Sequence, residues 1–136
     1  MTDNERKHGG QGIVLFGHGA RDPEWAGPMR RTAARIGELT PDVPVSLAFM
    51  EFLTPTLDAA VDHLVAMGVT DICVVPVFLA QGGHLKRDVP RMVAQAAQRH
   101  PAVSVSLTTA VGEAPGVVEA IAAYALASAE ENTQKG

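Results

Sequence analysis

Short apolar runs and longer amphipathic stretches take turns along this chain. Gly12-Ile13-Val14-Leu15-Phe16 is an unbroken apolar run of strand length, the pattern of a parallel strand covered on both faces. From Pro23 or Glu24 to Leu39 the spacing turns helical, with a thin stripe of Met29, Ala33 and Ile36. Val43 to Met50 predicts a second strand, in which Val43, Val45, Leu47 and Phe49 alternate with Ser46 and Ala48. Thr54-Pro55 predicts the opening of a second helix, a cap residue followed by proline in the first turn. Leu57, Ala60, Val61, Leu64 and Val65 form one face of it, and Gly68 stops it. A third strand is predicted over Asp71–Leu79 and a third helix over Arg87–Arg99, with Val89, Met92, Val93, Ala96 and Ala97 on one side. Val103–Thr108 predicts a fourth strand. Pro115–Ala127 predicts a fourth helix, whose core-facing side is Val118, Ile121, Ala122, Ala125 and Leu126.

Strict strand–helix alternation predicts an α/β fold: a single four-stranded parallel sheet flanked by helices and joined by right-handed crossovers. Four strands are too few for a closed eight-stranded barrel. The predicted strand order is 2-1-3-4, so the chain reverses direction between strands one and three. Open sheets of this kind bind ligands at that reversal, beyond the carboxyl ends of the strands. One domain is expected over residues 12–127, with flexible tails at 1–11 and 128–136.

Composition narrows the function. Of 136 residues, 46% are apolar and 19% charged, as in a soluble globular domain. A net charge of −4 argues against a nucleic-acid partner. The lone cysteine, Cys73, excludes a disulfide framework and a Cys-based zinc site, and its apolar strand reads as core. Residues 1–11 lack the apolar stretch of a signal peptide, and no run approaches the roughly 18–20 residues that span a bilayer. The expectation is a cytoplasmic protein without a membrane partner.

The candidate chemistry lies in two glycine loops. His18 sits in Gly17-His18-Gly19 after strand one, and His84 in Gly82-Gly83-His84 after strand three. Both are expected at the ligand-binding edge, close enough together to offer two imidazoles to a transition metal. The glycines let a ligand approach the backbone closely. Glu51, at the end of strand two, falls on the same edge as a third ligand or a base. Asp88 either orients the His84 ring or caps the third helix. Taken alone, His18 also reads as a turn histidine bonded to backbone, and Glu51 as a solvated loop residue. His63, His8 and His100 are weaker candidates: one helical and exposed, one in the tail, one at a helix end. Arg21, Arg30, Arg31, Lys86, Arg87 and Arg91 flank the two loops; they are either solvated surface or anchors for a polyanionic ligand. There is no GxGxxG, no Walker A loop and no Gly-x-Ser-x-Gly elbow.

These residues carry a family resemblance. Gly17-His18-Gly19-Ala20-Arg21-Asp22-Pro23 is similar to the first-strand signature GHGSR-x-P of the CbiX/SirB-type chelatases. Ala48-Phe49-Met50-Glu51 followed by Thr54-Pro55-Thr56-Leu57 resembles their second motif. Val75-Pro76-Val77-Phe78-Leu79 with Gly82-Gly83-His84 and Asp88-Val89-Pro90 resembles their third. The resemblance runs from residue 12 to about 127. It departs at Ala20, where serine is common, and at Met50, which replaces leucine.

The resemblance implies a class II chelatase that inserts a divalent metal into sirohydrochlorin, on the way to cobalamin, sirohaem or coenzyme F430. Longer members carry two facing halves; this chain matches one, so a homodimer is expected to rebuild the cleft. On this reading no organic cofactor is used, and the metal (Co²⁺, or Fe²⁺ or Ni²⁺) is a substrate. His18 and His84 would ligate it and take up pyrrole protons, with Glu51 assisting. Arg21, Gly82, Gly83, Lys86 and Arg87 would contact the tetrapyrrole. The rival readings are a non-catalytic metal or tetrapyrrole carrier and a phosphohistidine phosphatase. The phosphatase lacks its phosphate-binding arginine here, since Gly17 stands in that place.

Overall fold

The computed structural model describes residues 10–135. Four parallel strands, β1 (Gln11–Gly17), β2 (Val45–Phe49), β3 (Asp71–Pro76) and β4 (Ser104–Leu107), form one sheet in the order β2-β1-β3-β4. The predicted α/β class and strand order hold. Helices α1 (Gly27–Leu39), α2 (Leu57–Ala66), α3 (Gly83–Gln98) and α4 (Pro115–Lys135) follow the strands in turn. Among the described residues no helix is long and apolar enough to cross a membrane.

Side-chain alternation along the central strands divides the core in two. Val14 and Phe16 of β1, with Ile72 and Val74 of β3, face α2 and α3 and meet Leu57, Val61, Leu64, Val89 and Val93. These residues are almost fully buried. Leu15 and Phe49 point the other way, onto Met29 of α1 and Ala26. On that second face Ile13, Val75 and Val77 are only half-buried, because α1 is the one helix laid against it.

Several boundaries move. β1 begins at Gln11, a residue assigned to the tail by its polarity; residues 1–9 of that tail, His8 included, lie outside the described residues. The first helix opens as a separate 3₁₀ turn, Pro23–Ala26, because Asp22 Oδ1 accepts from the Glu24 N–H at 3.0 Å. β2 starts at Val45 and β3 ends at Pro76, where proline removes a ladder donor. The second helix is capped by Thr56, whose Oγ1 accepts from the Ala59 N–H at 3.2 Å; Thr54-Pro55 lies upstream in a cis peptide. α3 begins at Gly83, a full turn ahead of the predicted Arg87.

The largest departure is α4. It extends past the predicted end at Ala127 to Lys135, so residues 128–135 continue the helix. Its predicted core face is exposed: Val118 49%, Ile121 48% and Leu126 69%. Amphipathic spacing marks which side of a helix seeks cover, not whether the chain's own sheet supplies it. Cys73 is likewise half-buried, since it shares the sheet face that α4 leaves open.

Candidate active site

Three of the four strand–helix connections contribute side chains at the carboxyl edge of the sheet. His18 is the first residue beyond β1, and Glu51 follows β2 by two residues. The ladder continues past the formal strand ends: Met50 N–H donates to Gly17 O at 3.0 Å and Glu51 N–H to His18 O at 3.1 Å. The two loops are thus stitched together, and their side chains meet. His18 Nε2 lies 3.0 Å from Glu51 Oε1, with both side chains about half exposed. A carboxylate can only accept, so in a neutral His18 ring Nε2 donates and Nδ1 keeps its lone pair. The His18 ring also stands edge-on to Phe78, 6.5 Å between centroids.

Gly19 explains how closely the loops approach. Its φ is +97°, and a Cβ there would sit 1.9 Å from the Glu51 carbonyl oxygen. Only glycine leaves room for that stacking. The residue after Glu51 also has a left-handed backbone. Leu53 N–H donates to Glu51 O at 2.8 Å around Phe52, whose φ is +68°. This is a γ-turn with a left-handed central residue, rare and costly for a side chain of this size. It holds the Phe52 ring 56% exposed, and the Arg21 guanidinium lies over it, 4.9 Å from the centroid. Phe52 was not singled out from sequence; its only signal there was its place next to Glu51.

His84 is placed differently from expectation. It lies in the first turn of α3, 80% exposed, with Nε2 3.0 Å from Asp88 Oδ2 one turn on. Gly82 is the N-cap, so Asp88 is free to face the imidazole. Among the described residues no three His, Cys, Asp or Glu side chains gather into one metal-binding group. The expected convergence of both imidazoles with Glu51 is therefore not met within the single chain. The helix starts early and its phase turns His84 toward its own carboxylate. The result is two imidazole–carboxylate pairs on one edge, His18–Glu51 and His84–Asp88.

Around these pairs the edge is open and mixed in character. Arg21, Lys86 and Arg87 are exposed, as are the apolar side chains of Trp25, Phe52 and Leu79. A Cβ at Gly82 or Gly83 would meet nothing within 4 Å, so both leave free space before the helix. Arg30 donates to the Pro23 carbonyl at 3.1 Å, a local structural bond. His100 stands apart from this edge, 2.6 Å from Asp62.

The family model named CbiX matches residues 12–127. This chain belongs to the CbiX family. Within reach of this CbiX chain are the sirohydrochlorin cobaltochelatases of Methanopyrus kandleri, 42% identical over 60% of this chain, and of Methanothermobacter thermautotrophicus, 38% identical over 68%. The matched segment spans 57% and 64% of those relatives, less than two thirds of their length. A solved CbiX protein from Marinobacter aquaeolei VT8 superposes with a TM-score of 0.78 at 31% identity, covering 89% of this chain and 98% of that one. The chelatase SirB from Bacillus subtilis subspecies spizizenii, solved with cobalt, superposes at 0.65 and 30% identity, covering 81% of this CbiX chain and 47% of SirB.

Proposed function

We propose that this chain inserts a divalent metal into sirohydrochlorin. Cobalt is the preferred metal, with Fe²⁺ and Ni²⁺ as alternatives, since imidazole ligands suit all three. The observation that carries the reading is the His18–Glu51 pair, 3.0 Å apart on an open edge beside exposed apolar and cationic side chains. Its support is membership of a family whose relatives above are sirohydrochlorin cobaltochelatases.

Insertion exchanges two pyrrole protons for one metal ion. Some group must hold the metal as it sheds water, and some base must take the protons. His18 Nδ1 has its lone pair, because Glu51 holds the other ring nitrogen. It serves first as metal ligand and then as proton acceptor, and Glu51 stabilises the imidazolium that results. His84, oriented by Asp88, plays the same part from the neighbouring loop. Arg21, Lys86 and Arg87 meet the macrocycle's carboxylates, and Gly82 and Gly83 let its rim come close. No organic cofactor takes part. The edge supplies one wall for a planar macrocycle; a second copy across a two-fold axis supplies the other, giving a cytoplasmic homodimer without nucleic-acid or membrane partners.

The test is anaerobic incubation with sirohydrochlorin and Co²⁺, following absorbance against the rate without protein. Acceleration is expected, and His18→Ala or His84→Ala should each lower it by about 10²-fold or more without changing the fold. Full activity in either variant removes that residue from the mechanism. Binding of tetrapyrrole or metal with no acceleration by Co²⁺, Fe²⁺ or Ni²⁺ replaces the enzyme with a carrier.

A further inference from the structure

From Ala48 to Leu53 the chain leaves the sheet and divides its side chains. Ala48 and Met50 pack into the layer beneath α2 and α3, and Phe49 and Leu53 into the layer beneath α1. Had the extended backbone run on, Phe52 would share the face of Ala48 and Met50. It is 56% exposed instead. The γ-turn around it makes the difference. Leu53 N–H reaches back to Glu51 O at 2.8 Å, and Phe52 at its centre is turned outward with φ +68°.

Both parts of this arrangement are unfavourable for the fold alone. A large apolar ring is left in water, and a residue with a Cβ is held in the left-handed region. Backbone outliers of this kind persist only where the surroundings hold them, and they cluster at active sites and ligand clamps. Here the holding contacts are those of the candidate active site. Glu51 N–H donates to His18 O, Glu51 O lies against Gly19, and Glu51 Oε1 meets His18 Nε2. Phe52 is therefore fixed relative to the His18–Glu51 pair. Its ring also carries the Arg21 guanidinium, 4.9 Å from the centroid. A ring attracts a cation without neutralising it, and among the described residues Arg21 has no carboxylate partner.

We propose that Phe52 and Arg21 act as one substrate-contact unit. The open side of the ring packs on the flat face of the tetrapyrrole, and the guanidinium seated on the ring binds a carboxylate at the rim of the same molecule. A broad apolar plane bordered by carboxylates answers both groups at once. Glu51 and Phe52 are adjacent and their turn is closed, so contact at Phe52 sets where the macrocycle lies relative to Glu51 and His18. The unit rests on the tetrapyrrole being the ligand, as proposed above, and is independent of whether metal is inserted.

Anaerobic binding of metal-free sirohydrochlorin to the full chain tests this without turnover. Trp25 is the chain's one tryptophan, 42% exposed, and its ring borders Gly17, so quenching of its fluorescence reads the binding. Phe52→Tyr keeps the ring and should bind within about 2-fold of the parent. Phe52→Leu, equally unbranched at Cβ, should bind about 5-fold more weakly or worse. Phe52→Gly relaxes the turn, folds for that reason, and should lose binding as Phe52→Leu does. Arg21→Gln should also weaken binding, and by less in the Phe52→Leu background. Binding as tight as the parent's in Phe52→Leu or Phe52→Gly would overturn the contact, as would equal losses in Phe52→Tyr and Phe52→Leu. Strictly additive losses at the two positions would overturn the unit. A parent that binds no sirohydrochlorin removes this proposal and the chelatase together. Ring-dependent binding without metal insertion keeps this proposal and replaces the chelatase with a carrier.

Discussion

Gly19 and Gly83 look alike in the sequence and differ in what surrounds them. The Glu51 carbonyl occupies the space a Cβ would need at Gly19, and the backbone there is left-handed. Gly19→Ala should cost roughly 1–3 kcal/mol and push Glu51 away from His18. Urea unfolding checks this, and an unchanged midpoint would mean that the stacking is loose. Gly83→Ala should unfold at the same urea concentration or slightly higher, because nothing stands within 4 Å. Any loss of metal insertion in that variant then reports on the approach of the macrocycle. Phe52 offers a third comparison. Its left-handed backbone favours glycine, so Phe52→Gly should be less disruptive than Phe52→Val by about 1–2 kcal/mol. If valine is the more stable variant, the γ-turn is not under strain.

Between elements, Asp62 of α2 joins the end of α3 through His100 at 2.6 Å and through Arg99. The His100 hydrogen bond, followed by that of Arg99, holds the Asp62 carboxyl below the usual carboxylate range. A depressed carboxylate stabilises the fold above its unfolded pKa, and that contribution is lost as pH falls through the folded value. Asp62→Asn should therefore be less stable than the parent at pH 6, and the gap should close below about pH 3–4. With Asp62 over a third exposed, the gap should be about 1 kcal/mol or less. A gap that persists at pH 2 would assign the effect to packing. These contacts were not legible in the sequence, whereas the strands were: Gly12–Phe16 and the alternation after Val43 fix type and face, and strict alternation with helices fixes the order. The start of α3 was not legible, because Gly82-Gly83 has the propensity of a loop, yet it supplies the cap and the first residue of the helix. That single turn decides where His84 points. The His18–Glu51 pair was legible as two residues on one edge; the bonds that bring them together depend on Gly19, whose close approach no periodicity records.

For the whole molecule, the two sheet faces behave as different kinds of interior. Leu64 is 1% exposed in the complete layer beneath α2 and α3. Leu64→Ala should cost about 2–5 kcal/mol at any protein concentration, as thermal melts of dilute and concentrated samples would show. A cost that changes with concentration would mean that this layer is shared between chains. The open layer follows another rule. Ile13, Val75 and Val77 are only half-buried there, so truncating any of them should cost less than truncating Leu64. One side of the same four strands is thus an interior, and the other is still in part a surface.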